Sequence, residues 1–270
     1  MKRMDVTELA YGILFLFQII FGVSGNVFLL VVYAHVVSTI HQLNPRDLIL
    51  AHLALANTMA LLSQGIPDIL SAWGLNNFLG DAGCKILLYN YRVARGLVIC
   101  TTCLLSVFQA ITISPGLSQC VGVKTQFPKC ILPSCLLSWV FNLLFDMTTP
   151  MFISGPGNST GINRVILLKY CSSISISAVT TLVNAVVLSL HDMFFVGLMS
   201  VASGYMVFVL HRHHRQGRHL HGPGCSPKVM PEVRTAKRII ALVTLYVLLY
   251  GRNTVMLCFI KCAETFPAHS

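Results

Sequence analysis

Acidic residues are scarce. Nine Asp and Glu stand against nineteen Lys and Arg in 270 residues, and charged residues make up only 10% of the chain. So few carboxylates leave little material for general acid–base chemistry. No paired carboxylate set, Walker loop, Ser-His-Asp order or His-Glu-x-x-His run occurs. Enzyme activity is therefore not expected, and neither a cofactor nor a metal is. His211, His213, His214, His219 and His221 cluster, but the arginines threaded among them repel a cation, so a basic loop is the better reading. No tandem repeat and no second domain are evident, so residues 1–270 read as one unit. A cleavable signal peptide is also missing: Lys2 and Arg3 precede an apolar run too long for that role, which reads as a signal anchor.

Charge is absent altogether from six long stretches: Leu9 to Ala34, Leu48 to Pro67, Gly96 to Val123, Cys130 to Phe145, Met193 to Leu210 and Ile239 to Gly251. A helix rises 1.5 Å per residue, so roughly 20 apolar residues cross a hydrocarbon core of about 30 Å. One soluble core could not hide a chain that is 55% hydrophobic. Lipid can, because helices satisfy their own backbone polar groups there. Strands fit poorly, since the runs lack alternation. The expected fold is an all-α integral membrane protein with spans at about 9–34, 48–70, 85–113, 130–150, 188–211 and 236–260. No seventh apolar run follows.

The net charge of +10 could suggest nucleic acid, but its placement argues for a membrane. Arg212, Arg215, Arg218, Lys228, Arg234, Lys237 and Arg238 crowd the connector between the fifth and sixth runs, with one acid, Glu232, among them. Juxtamembrane positive loops stay cytoplasmic and favour anionic headgroups. No aromatic-interleaved soluble module accompanies the charge, so membrane lipids and not nucleic acid are the expected partners. The loops after runs one, three and five carry the excess of cations, which places them inside and the N-terminus outside. Asn158-Ser159-Thr160 is a glycosylation sequon in a loop that this topology puts outside. Cys84 and Cys171 fall on that same side, where oxidation is permitted. Cys100, Cys103, Cys130, Cys135 and Cys258 lie in apolar runs and read as small hydrophobes.

Along the chain, Asn44-Pro45-Arg46-Asp47 marks a helix start. Gly25-Asn26 offers close helix approach and an amide that can bond across an interface. Span two is expected to end near Pro67, span three at Ser114-Pro115-Gly116, and His211 to Pro231 to form a mobile linker.

The polar residues inside the spans carry the functional expectation. Arg92 and Arg95 lie three apart on one helix face, about 12 to 17 Å from Cys84. Cations at that depth face a bundle interior or a wet cavity. Two readings are open: contact with a ligand in a pocket, or a structural ion pair to Asp68 or Asp146, both near outer span ends. Arg252 either snorkels to the outer interface or joins that pocket.

The segments His52-Leu-Ala-Leu-Ala-Asn57, Gly83-Cys-Lys85, Arg92-Val-Ala-Arg-Gly96, Cys100-Thr-Thr-Cys-Leu-Leu-Ser-Val-Phe-Gln-Ala-Ile-Thr-Ile-Ser-Pro115 and Ser203-Gly-Tyr-Met-Val207 closely resemble vomeronasal type-1 receptors. These are pheromone receptors among the G-protein-coupled receptors. The resemblance implies a rhodopsin-like helix bundle in the plasma membrane, a small pheromone-like ligand, and signalling through a heterotrimeric G protein of the inhibitory class. It implies a bridge between Cys84 and Cys171 and a glycan on Asn158. Ligand-pocket candidates are Arg92, Arg95, Asp68, Asp146 and Arg252; G-protein-facing candidates are Thr112, Lys124, Arg212, Arg215 and Lys237. Where rhodopsin-like receptors place an acid in span two, this chain has Asn57, and Thr112-Ile113-Ser114 stands in place of Asp-Arg-Tyr. The tail Phe266-Pro-Ala-His-Ser270 resembles the end of the family's seventh helix. The rival readings are a truncated, non-signalling receptor remnant and a small membrane transporter.

Overall fold

The computed structural model describes residues 6–41, 44–75, 78–113, 121–154, 164–168, 171–174 and 178–220. Five helices dominate: α1 (Val6–Ile40), α2 (Pro45–Ala72), α3 (Asp81–Ile113), α4 (Val121–Phe145) and α5 (Ala178–Leu220). Each contains a stretch long and apolar enough to cross a membrane. The sixth expected span, 236–260, and the tail lie outside the described residues, as do Arg252, Lys237 and Asn158. A short 3-10 helix, Thr149–Phe152, follows α4 and leads into three strands, β1 (Ile153–Ser154), β2 (Arg164–Leu168) and β3 (Cys171–Ile174). They form an antiparallel sheet in the order β1-β3-β2, with Ile153 opposite Ser173 and Arg164 opposite Ile174.

The helices outrun the expected spans. At 1.5 Å per residue, the 35 residues of α1 make a rod of about 52 Å and the 43 of α5 one of about 65 Å. The reading of residues from 211 onward as a mobile linker is corrected as far as Leu220, where α5 ends. Nothing breaks the helix before then, since a lone Gly217 is tolerated and Pro223 lies beyond. Nor does α2 end at Pro67, which sits inside it. The ring removes one N–H from the i−4 ladder, a loss that neighbouring groups offset in membrane helices.

Local chemistry sets the helix ends. Asn44 is extended, at φ −61° and ψ 146°, and precedes Pro45 in the first turn of α2. Its Nδ2 donates to the Asp47 carboxylate at 3.2 Å. At the other end Gly74 takes φ +83°, which only glycine adopts without strain. The Leu75 N–H then reaches back to the Leu70 carbonyl and the Gly74 N–H to that of Ser71, the paired bonds of a Schellman stop.

The chain divides into two compact units, and α3, α4 and α5 run through both. One comprises the described parts of Met1–Thr101 and Ile131–Thr181; the other, those of Thr102–Cys130 and Leu182–Ser270. In the first, α1 packs on α2 through small residues. A Cβ on Gly65 would collide with Ile19, and one on Gly22 would come within 2.7 Å of Leu61. Gly25, the expected close-approach residue, has nothing within 4 Å of that position. Its neighbour behaves as expected: the Asn57 amide donates across to Asn26 Oδ1 at 3.5 Å, and Asn26 donates to the Gly22 carbonyl at 2.7 Å. The far side of α1 is bare, with Phe21 73% exposed, as suits a lipid-facing helix.

In that unit α3 lies between partners. Asn90 donates to Ser63 of α2 at 3.2 Å, and Tyr89 donates to the Leu143 carbonyl of α4 at 3.0 Å. Ala56, Val93 and Leu97 form a buried cluster with Trp139 against it. Asn142 of α4, 1% exposed, lies over Gly96 and donates to Cys100 Sγ at 3.6 Å. Cys100 and Cys103 are buried thiols, as expected of small core residues. In the second unit Ala110, Ala202 and Met206 make a small core with Val107 against it.

Two glycines test this packing. A methyl at Gly96 would run into the Asn142 amide, whereas one at Gly25 would enter open space. Gly96→Ala should cost about 1–3 kcal/mol, and Gly25→Ala should be neutral or stabilising by up to about 1 kcal/mol. Thermal unfolding of the two purified variants in one detergent gives the comparison; equal midpoints would show that α3 and α4 do not meet at Gly96.

Candidate functional site

The polar centre of the first unit gathers where α3 and α4 come together near the sheet. Asp146 follows the last residue of α4, and its N–H bonds the Asn142 carbonyl at 3.1 Å. A carboxylate at a helix C-terminus meets the negative end of the dipole, an unfavourable contact of roughly 0.3–1 kcal/mol. Arg92 of α3 offsets it: Nε lies 3.1 Å from Asp146 Oδ1, with side chains 21% and 6% exposed. The Thr149 hydroxyl donates to the same oxygen at 3.4 Å, and the Thr149 N–H bonds the Asp146 carbonyl at 2.9 Å. The turn is thus built to present a carboxylate to a guanidinium.

Of the two readings open for Arg92, the ion pair is present and Asp146 is the partner. Arg95 is half-buried one turn further along the same face of α3, and Asp68 is half-buried on α2 beside Pro67. Hydroxyl and amide groups of the same unit bond elsewhere along α3: Asn90 to Ser63, Tyr89 to the Leu143 carbonyl and Asn142 to Cys100. Sequence reasoning passed over Asn142, although an amide inside the charge-free run Cys130 to Phe145 is a visible signal.

Cys84 and Cys171 are bonded, as the resemblance implies, with their Cα atoms 5.9 Å apart. Cys171 opens β3 and Cys84 lies in the first turn of α3, so the bond fixes the sheet to the helix. Leu88 and Ile153 complete the cluster around it, with Phe78, Leu79 and Leu87 packed outside. In the same turn Lys85 pairs with Asp81 at 2.7 Å, an exposed contact worth about 0.3–0.5 kcal/mol.

The second unit holds a polar pair that sequence reasoning missed. His191 Nδ1 of α5 lies 3.3 Å from Asp192 Oδ1, with side chains only 7% and 10% exposed, and the imidazole meets Phe195 edge-on at 5.0 Å. The signal was an acid beside a histidine at the head of a charge-free run. Thr112 is exposed near the end of α3, its hydroxyl donating to the Gln109 carbonyl at 3.0 Å, and Arg212 is exposed on α5. Lys124 and Arg215 lie in α4 and α5, but their side chains are outside the described residues.

Removing either partner of the Arg92–Asp146 pair should destabilise the chain by about 1.5–3 kcal/mol, the range for hydrogen bonds to charged groups. Arg92→Gln and Asp146→Asn combined should cost less than the sum of the singles, because contacting residues couple. Additive losses in detergent melting would mean that the two act independently. For the disulfide, Cys84→Ala and Cys171→Ala should each cost about 2–5 kcal/mol, and the double variant no more than either.

The sequence matches the family model described as the vomeronasal organ pheromone receptor family across residues 9–266. It is similar to olfactory receptor class A-like protein 1 of Danio rerio, with 34% identity over 265 residues that cover 98% of this chain and 83% of the relative. Vomeronasal type-1 receptor 3 of Homo sapiens is 40% identical over 238 residues, 88% of this chain and 76% of the relative. Vomeronasal type-1 receptor 1 of Gorilla gorilla gorilla is 38% identical over 253 residues, 92% and 71% respectively. With apolar helices long enough to span a bilayer several times and a match along nearly its whole length, this chain belongs to the vomeronasal organ pheromone receptor family.

Proposed function

We propose that this chain is a chemosensory receptor of the plasma membrane that binds a small pheromone-like molecule and signals through a heterotrimeric G protein of the inhibitory class. The family match across residues 9–266 carries this reading. In it, the N-terminus and the disulfide-bonded sheet face outward and Asn158 bears a glycan. The cation-rich connectors face the cytoplasm, where anionic lipid and positive loops attract each other.

The ligand enters from the sheet side and meets Arg92, Arg95, Asp68 and Asp146; Arg252, outside the described residues, is a further candidate on its own. A guanidinium and carboxylate in a low-dielectric site make short, charge-assisted hydrogen bonds, so they discriminate strongly among polar groups. A ligand can shift the receptor only by its differential affinity for two arrangements of the bundle. An Arg92–Asp146 pair that opens in one arrangement and closes in the other supplies such a difference. At the cytoplasmic ends, Thr112, Lys124, Arg212, Arg215 and Lys237 face the G protein.

The test is a calcium-reporter screen of small volatile and steroid-like compounds on cells displaying the full chain at their surface. A dose response that shifts at least tenfold, about 1.4 kcal/mol, in Arg95→Ala at matched surface display is the expected result. An active compound whose potency is unchanged in Arg95→Ala and Arg92→Ala would remove both from the pocket. Surface protein that answers no compound and loads no G protein with nucleotide would sink the receptor reading itself.

A further inference from the structure

The flank of α1 turned away from α2 carries an unfilled seam. Leu14, Gln18, Phe21, Gly25, Phe28 and Val32 are all exposed and follow one another at spacings of four, three, four, three and four. That is the spacing of core positions along the contact line of two parallel helices. Ile19 and Gly22 occupy the other flank, where they meet Gly65 and Leu61 of α2. The seam and the α1–α2 contact therefore use different sides of one rod.

One member of the seam does not suit lipid. Gln18 lies nine residues, about 13.5 Å, past the start of the charge-free run at Leu9, and sixteen residues, about 24 Å, before its end at Ala34. An amide on so short a stem reaches neither boundary from there. Among the described residues it has no hydrogen-bond partner. Hydrocarbon offers none, and an unmet amide in it costs free energy. Asn26, on the α2 side of the same helix, donates to the Gly22 carbonyl and accepts from Asn57. Two turns along the seam from Gln18, Gly25 has open space where a Cβ would stand, with Phe21 and Phe28 one turn to either side. A small residue between large ones is a notch into which a second helix can settle closely.

We infer that this seam joins two copies of the chain in the membrane, α1 against α1 in parallel. Copies inserted the same way carry equal residue numbers at equal depth. A two-fold axis along the membrane normal then sets each Gln18 against its counterpart. An amide both donates and accepts, so it is complementary to itself. Lipid tails can cover the other five members of the seam, but only a polar group at the same depth can meet the amide. A second copy supplies that group by symmetry, and a single polar side chain in an apolar seam also fixes the register of the pair. The inference rests on the membrane assignment and on no ligand or G protein.

The experiment is energy transfer between two differently labelled copies of the full chain in liposomes, diluted with lipid to give a dissociation constant, with disulfide crosslinking of added cysteines in the same membranes. A side-chain hydrogen bond between membrane helices changes such a constant about three- to thirtyfold. Gln18→Leu should weaken association by that factor, and Gln18→Asn by less. Gly25→Leu should weaken it too, because the added side chain enters open space in one copy but blocks the approach of two. Q18C and G25C should crosslink into dimers above the level of the unaltered chain. I20C and V27C, at positions exposed on another side of α1, should not. An unaltered chain that does not self-associate overturns the inference, as does association unchanged in both Gln18→Leu and Gly25→Leu. Dimers from I20C or V27C in place of Q18C overturn it and move the contact to another side. Should Gln18→Leu lower the melting midpoint and leave association intact, the amide is met within its own chain and the seam is no interface. Should Gln18→Leu not be recovered folded, Gly25→Leu and the crosslinks decide. Association through the seam in a chain that answers no compound would refute the receptor reading and leave this interface standing.

Discussion

In hydrocarbon there is no water to take an unmet hydrogen bond, and most of the architecture follows from that constraint. Backbone groups turn inward as helices. Side-chain hydroxyls within the spans bond back to carbonyls of their own helix, as Thr58 does to Ala54, Ser106 to Thr102, Ser138 to Ser134 and Ser200 to Val196. Amides reach across helices, from Asn57 to Asn26 and from Asn90 to Ser63. Charge within the first unit is met by opposite charge, a half-buried Arg92 guanidinium against the buried Asp146 carboxylate. Apolar faces need no partner, and α1 leaves Phe21, Phe28 and Leu14 largely uncovered.

The same constraint explains what the sequence made legible. Charge-free runs pointed to five long apolar helices, because a charge inside hydrocarbon is costly whatever its neighbours are, though α5 continues about nine residues past its expected end. Asn44-Pro45 and Asp47 marked the start of α2 through backbone preference alone. Arg92 was visible as an anomaly, and Asp146 as one of two carboxylates near enough to answer it. The pairing of Cys84 with Cys171 came from family resemblance, because polar-loop placement leaves partners open.

Other features could not be read, for physical reasons. The strands are short, and Arg164-Val-Ile-Leu-Leu168 has the branched composition of a strand inside a segment otherwise full of turn residues. It pairs antiparallel with β3, which begins only three residues later, and the disulfide ties β3 to α3. The continuation of α5 to Leu220 was hidden because basic residues suggest solvent, yet arginine is a good helix former. Gly96 looked like any small residue in a span. Its importance arises from Asn142, forty-six positions later, and Gly25 shows that the same residue type in a similar setting can touch nothing.

The disulfide closes a circuit. From Cys84 the path runs about 12 Å along α3 to Arg92, crosses the ion pair to Asp146, follows the turn through Thr149 into β1, steps across to the middle strand and returns through Cys171. Where the path leaves the backbone, every crossing but the sulfur bridge is non-covalent, and each helps hold the others in place. Cutting that bridge would release β3, then β1, then the turn that aims the carboxylate. The guanidinium would face a wandering counter-ion, so the sulfur bridge governs the electrostatics of a pair that neither cysteine touches.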